Sequence, residues 1–151
     1  MRTTLIGLLF LWSNLIAAQY TVETVPNVKL VDNSYVSDPD HFISEIADID
    51  TINAICKRVE DSVGAQIGIV VLESIGYAVP KDFGDDLFAY WKFGRAEYDD
   101  GLLILLVMDQ RRVEFVTGYG LEAALPDGLC YDIQQEEMIP YFKQDRYPFG
   151  I

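Results

Sequence analysis

Seven consecutive apolar residues, Leu102-Leu103-Ile104-Leu105-Leu106-Val107-Met108, restrict the folds open to this chain more than any other feature. A run this short has no polar side to show to water, and as a strand it presents apolar side chains to both faces of its sheet. Such a strand is central, with packed layers above and below. Gln66-Ile67-Gly68-Ile69-Val70-Val71-Leu72 reads as a second covered strand. Asp99-Asp100-Gly101 makes a tight turn into the central run, Asp109-Gln110-Arg111 turns the chain after it, and Arg112 to Thr117 returns as an antiparallel partner.

The covering layers are legible as helices. Ile49, Ile52, Cys56, Val59 and Val63 recur at three- and four-residue steps, and Gly64 ends the pattern. A second helix is expected from Lys81 to Phe93, with Phe83, Leu87, Tyr90 and Trp91 on one face and Gly94 as its stop. A third runs from Asp127-Gly128 to about Ile139, where Pro140 breaks it or opens another. Asp38-Pro39 reads as the opening of the first helical segment, since proline suits a first helical position. The order predicts an α/β fold, a mixed sheet sandwiched between helices, in a single domain over residues 33–151. Residues 19–32 form an extended lead-in with a turn at Pro26-Asn27.

Residues 1–18 differ in kind. Met1 and Arg2 give a positive start, Leu5 to Ile16 is nearly unbroken apolar sequence, and Ala17-Ala18 precede Gln19. This is the pattern of a secretory signal peptide, and a run this short falls below the roughly 20 residues that span a bilayer core. The expected setting is exported, periplasmic or extracellular. Without Arg2, ten basic residues face twenty-four acidic ones, a net charge of −14. A field of that sign repels nucleic acid, and repels a phosphorylated substrate unless a cation intervenes.

Much familiar chemistry is missing. His41 is the single histidine, and neither Ser37 nor Ser44 stands where a serine–histidine–aspartate triad would place it. There is no P-loop and no cysteine–histidine zinc spacing. Cys56 and Cys130 fall on apolar helix faces. They are either two buried thiols or, in an oxidising compartment, one long-range disulfide.

What remains is carboxylates beside glycines: Asp99-Asp100-Gly101, then Gly118-Tyr119-Gly120-Leu121-Glu122, with Asp127 and Asp38 at helix openings. Each has an ordinary structural explanation, Asp-Gly as turn chemistry and Asp38 and Asp127 as helix N-caps. The hairpin nevertheless brings the start of one strand beside the end of its neighbour, so Asp99, Asp100 and Glu122 are expected at one sheet edge. Clustered carboxylates of this type suit a hard cation, Ca²⁺ or Mg²⁺.

Several words of this chain resemble the TPM domain family: Tyr35-Val36-Ser37-Asp38-Pro39, the strand from Gln66, Trp91-Lys92-Phe93-Gly94, and Asp99-Asp100-Gly101 with the apolar run behind it. Arg112-Val113-Glu114-Phe115-Val116-Thr117-Gly118-Tyr119-Gly120-Leu121-Glu122 is the most specific, followed by Pro126-Asp127 and the stretch from Glu136 to Ile151. The resemblance covers roughly residues 33–151. It implies an α/β sandwich and, for some members, an acid phosphatase holding a divalent cation, often calcium, in an acidic cleft. Other members are accessory factors in photosystem repair or receptor modulation. Carried over, Asp38, Asp99 and Asp127, with Glu122, match the family's acidic positions; together with the neighbouring Asp100 they are the expected metal ligands, with Asp99 and Asp100 catalytic. Asp100 departs from the asparagine common in the family, which alters the charge of any site. The implied partner is a small phosphorylated substrate or a membrane protein, and the resemblance implies a membrane tether beyond Ile151 in longer forms.

Overall fold

In the computed structural model, which describes residues 19–151, the two apolar runs lie side by side. The leader assigned to residues 1–18 falls outside the described residues. Strands β1 (Val36–Ser37), β2 (Gln66–Leu72), β3 (Gly101–Val107) and β4 (Arg112–Thr117) form one sheet in that spatial order. β1 and β2 run parallel with Ser37 opposite Val70, and β2 and β3 run parallel with Gln66 opposite Gly101. β4 pairs antiparallel with β3, Leu102 opposite Thr117. Every residue of β3 is buried. Alternation along it sends Leu102, Ile104 and Leu106 into one core and Leu103, Leu105 and Val107 into the other.

The first core lies under α2 (Ile46–Val63) and the C-terminal helices, and the second under α3 (Pro80–Trp91). The expected mixed sheet between helical layers is what forms. Gly64 closes α2 in the left-handed region at φ 81°, its N–H donating to the Glu60 carbonyl. α3 ends two residues earlier than the pattern predicts, with Lys92 taking the left-handed cap that Gly94 was expected to supply. Tyr90, placed on the buried face by spacing, is 57% exposed, because Phe83, Gly84 and Leu87 already fill the contact with the sheet.

Three expectations need correction. Asp38-Pro39 opens no helix: both Asp38 carboxylate oxygens accept backbone N–H groups, from Phe42 at 3.0 Å and Ile43 at 2.7 Å. His41 at φ 59° then breaks helical geometry before α2 begins. The lead-in is not simply extended. Gln19 bridges Ser74, and α1 (Val28–Val31) is a single turn after the chain folds back to bury Val25. The third helix is interrupted: α4 (Asp127–Ile133) passes into a π-helical turn over Gln134–Met138 before α5 (Ile139–Phe142) and α6 (Tyr147–Gly150). Pro140 has no N–H for the Glu136 carbonyl and its ring crowds that turn, so the Ile139 N–H reaches back five residues to Gln134.

Candidate functional site

Two turns meet at the amino end of β3. Asp99, left-handed at φ 48°, and Asp100 lead into the strand, while Gly118 to Glu122 leave β4 through a 3-10 turn at Tyr119–Leu121. The Gly118 N–H donates to the Gly101 carbonyl at 2.8 Å and the Gly120 N–H to the Asp99 carbonyl at 2.9 Å. A methyl group on Gly118 would overlap the Asp99 carbonyl oxygen, and one on Gly120 the Tyr98 carbonyl oxygen. Only glycine permits this approach. The Asp99 carboxylate is half-buried against the same turn. Its Oδ2 accepts the Tyr119 N–H at 3.1 Å.

Asp100 is occupied otherwise. It is buried, with Oδ1 accepting the Arg95 backbone N–H at 2.9 Å and Oδ2 accepting Arg95 Nε at 2.7 Å and Nη2. Burial by itself raises its pKa, but the Arg95 hydrogen bonds and charge outweigh burial and hold the carboxyl below the usual range. The same guanidinium occupies the space a side chain at Gly64 would need, at the carbonyl end of α2. There a cation is also favoured by the helix dipole. Arg95 was not singled out from the sequence, where it is one arginine in a loop.

The five expected ligands do not come together. Asp99, Asp100 and Glu122 do share one sheet edge, and Asp127 follows as the first residue of α4, exposed and with no capping bond. Pro126 holds the N-cap position instead, which corrects the assignment of Asp127. Asp38 lies at the other end. It follows Ser37, and through Ser37–Val70 and Val70–Leu105 it stands level with Leu106. Six residues of strand separate it from Asp100, roughly 20 Å at about 3.3 Å per residue. Among the described residues no three His, Cys, Asp or Glu side chains are placed to hold a metal ion. A resident calcium takes six to eight oxygens, so the donor set as arranged does not fit one.

At its own end Asp38 has acidic company. Asp40 accepts the Tyr20 hydroxyl at 2.9 Å and the Glu73 N–H at 2.8 Å. Burial first, then that hydrogen bond and the charges of Asp40, Glu73 and Asp38, push Tyr20 up to about 12. Asp40 is thus engaged in fastening the lead-in to the sheet, while Asp38 holds the turn at Phe42 and Ile43. Cys56 and Cys130 are both buried free thiols, so of the two readings the structure takes the first.

With this geometry in place, the comparisons are specific. The TPM domain model matches residues 36–151. The solution structure of the N-terminal domain of a protein from P. gingivalis is 40% identical, with a TM-score of 0.80, covering 88% of this chain and 85% of that one. The N-terminal domain of the cg2496 protein from Corynebacterium glutamicum shares 18% identity at a TM-score of 0.63, over 87% and 80% of the two chains, a likeness of fold alone. No curated protein matches this chain.

Proposed function

We propose that this chain, which belongs to the TPM domain family, acts outside the cytoplasm as a phosphatase-like domain on phosphomonoesters, with Asp99 as its reacting carboxylate. One observation carries the choice of residue. Of the two adjacent aspartates, Asp100 is committed to Arg95, while Asp99 is half-buried between glycine turns with a single hydrogen bond to its carboxylate. A carboxylate so placed can act as general base: it takes a proton from water, the water oxygen attacks phosphorus as the P–O ester bond breaks, and the proton is returned to the departing oxygen, which leaves as the alcohol. Left-handed, non-glycine geometry at Asp99 is the kind of local strain that concentrates at functional sites.

Charge sets a condition on the substrate. A domain at −14 repels a phosphate dianion, so the ester is expected to arrive paired with its own divalent counter-ion, calcium or magnesium. The test is turnover of an aryl phosphate by the full chain, with and without chelator. Release that stops in chelator and in Asp99→Ala supports the reading. Release unchanged in Asp99→Ala points to a contaminant and ends it. A second reading, a non-catalytic binding or assembly module, is favoured by the fastening of Asp38, Asp40 and Asp100 into structural bonds. For that reading the partner is a membrane protein, and aryl phosphate is not turned over at all.

A further inference from the structure

β4 is an edge strand. Because Gly118 bonds to Gly101, residues 112, 114 and 116 face β3 in the ladder and Val113, Phe115 and Thr117 turn their backbone N–H and C=O groups outward. Among the described residues nothing accepts or donates to those groups. Beside the strand runs a cleft of about 910 Å³, continued by a smaller one of about 340 Å³. Arg112, Val113 and Glu114 line the larger one together with Phe42, Leu106, Phe142 and Tyr147 of the first core, so it lies on that face of the sheet and reaches the edge of β4. Its opposite wall includes Gln134 and Gln135 of the π-helical turn, a distortion common at functional sites.

The two ends of this groove differ in charge. At the start of β4 it carries Arg111, Arg112 and Lys143, three of the ten basic residues in a region with twenty-four acids. Arg112 bonds Glu114 at 3.0 Å, and Asp145 accepts the Tyr147 hydroxyl at 3.3 Å. Arg111 and Lys143 are exposed and enter no ion pair among the described residues. The smaller cleft at the other end carries Glu137.

We infer that the groove between β4 and the π-helical turn binds an extended peptide, which adds to β4 as an antiparallel fifth strand and places a terminal carboxylate against Arg111 and Lys143. Antiparallel addition runs the peptide opposite to β4, so its C-terminus arrives at the strand's start, where the cations are. Six residues of peptide match the length of β4. Backbone bonds to Val113, Phe115 and Thr117 supply affinity, and the apolar floor at Phe42, Leu106 and Ile139 selects alternate side chains. The carboxylate-binding end of this site, at Arg111 and Lys143, is at the other end of β3 from Asp99, and the proposal does not depend on any phosphatase activity.

The test is a selection of random heptapeptides with free C-terminal carboxylates on the full chain. Backbone amide exchange is then measured by NMR with the best peptide bound. The expected result is enrichment of alternating apolar sequences, slowed exchange at Val113, Phe115 and Thr117, and at least tenfold weaker binding when the peptide is amidated or the chain carries Arg111→Glu with Lys143→Glu. Both substitutions are at exposed positions, so a native amide spectrum of the double variant is expected and confirms that the loss is local. No enrichment, or binding that leaves those three amides exchanging as before, overturns the inference. So does inorganic phosphate displacing the peptide at micromolar concentration, which would make the cations a small-anion site.

Discussion

Arg95 stands between the Asp100 carboxylate and the carbonyl end of α2, and this sets the two adjacent aspartates in different surroundings. Asp100→Asn leaves the guanidinium without its counter-charge, with an expected loss of about 1–3 kcal/mol for a buried hydrogen-bonded group. The pH dependence has a definite sign. The Asp100 carboxyl lies below its ordinary value in the fold. The pair therefore contributes fully above the unfolded value of about 3.9 and is lost as pH falls through the folded value. Melting curves of wild type and Asp100→Asn should differ at neutral pH and converge in acid. Curves that stay parallel to low pH would deny the pair its electrostatic part. The sequence shows the Asp-Asp-Gly turn but not the arginine that claims one aspartate, because a contact between a loop residue and a strand end has no period to reveal it.

At the scale of elements, Gly118 and Gly120 are where two turns touch backbone to backbone. Gly118→Ala has an ordinary negative φ to adopt, so the cost is overlap with the Asp99 carbonyl and with its carboxylate Oδ1. We expect a loss of about 1–3 kcal/mol, with NMR shift changes confined to Tyr98–Gly101 and Gly118–Leu121. A neutral substitution would mean the turns do not pack as described. β2, β3 and β4 were legible almost to the residue from their apolar runs and turns, and so was the end of α2, whereas the two-residue β1 was not, being too short to show a pattern. Nor was the π-helical turn. Proline announces a break, but whether the chain stops, kinks or widens depends on what lies beneath it, here the buried Met138. Pro140→Ala restores an N–H at the break, and the turn should tighten to ordinary α-helical bonding. Carbon chemical shifts over Gln134–Met138 measure this, and the heptapeptide should bind less well to the narrowed groove.

For the whole molecule, charge is the dominant fact. At a net −13 the folded state repels itself, so added salt should raise the melting temperature until screening is complete near physiological ionic strength and above. A melting point independent of salt would show that the acids are already neutralised in pairs. Export is expected to leave the mature N-terminus at or near Gln19, which mass spectrometry of secreted protein reads directly. Alkylation without reductant should label both Cys56 and Cys130 after unfolding and neither before, since both are buried thiols. The candidate site was only half visible at this scale. The hairpin was enough to bring Asp99, Asp100 and Glu122 to one sheet edge, whereas Asp38, joined to them as a ligand by the resemblance, lies elsewhere because β1 runs parallel to β2. Parallel pairing sends the end of β1 to the opposite end of the sheet. The most direct test of the central claim sets Asp99→Asn beside Asp100→Asn, measuring melting temperature and aryl phosphate turnover per folded molecule on both. The account predicts a split: Asp99→Asn melts close to wild type and loses turnover at least a hundredfold, in the range expected for a general base, while Asp100→Asn melts lower and keeps its turnover. Turnover retained in Asp99→Asn, or abolished in a folded Asp100→Asn, would contradict it.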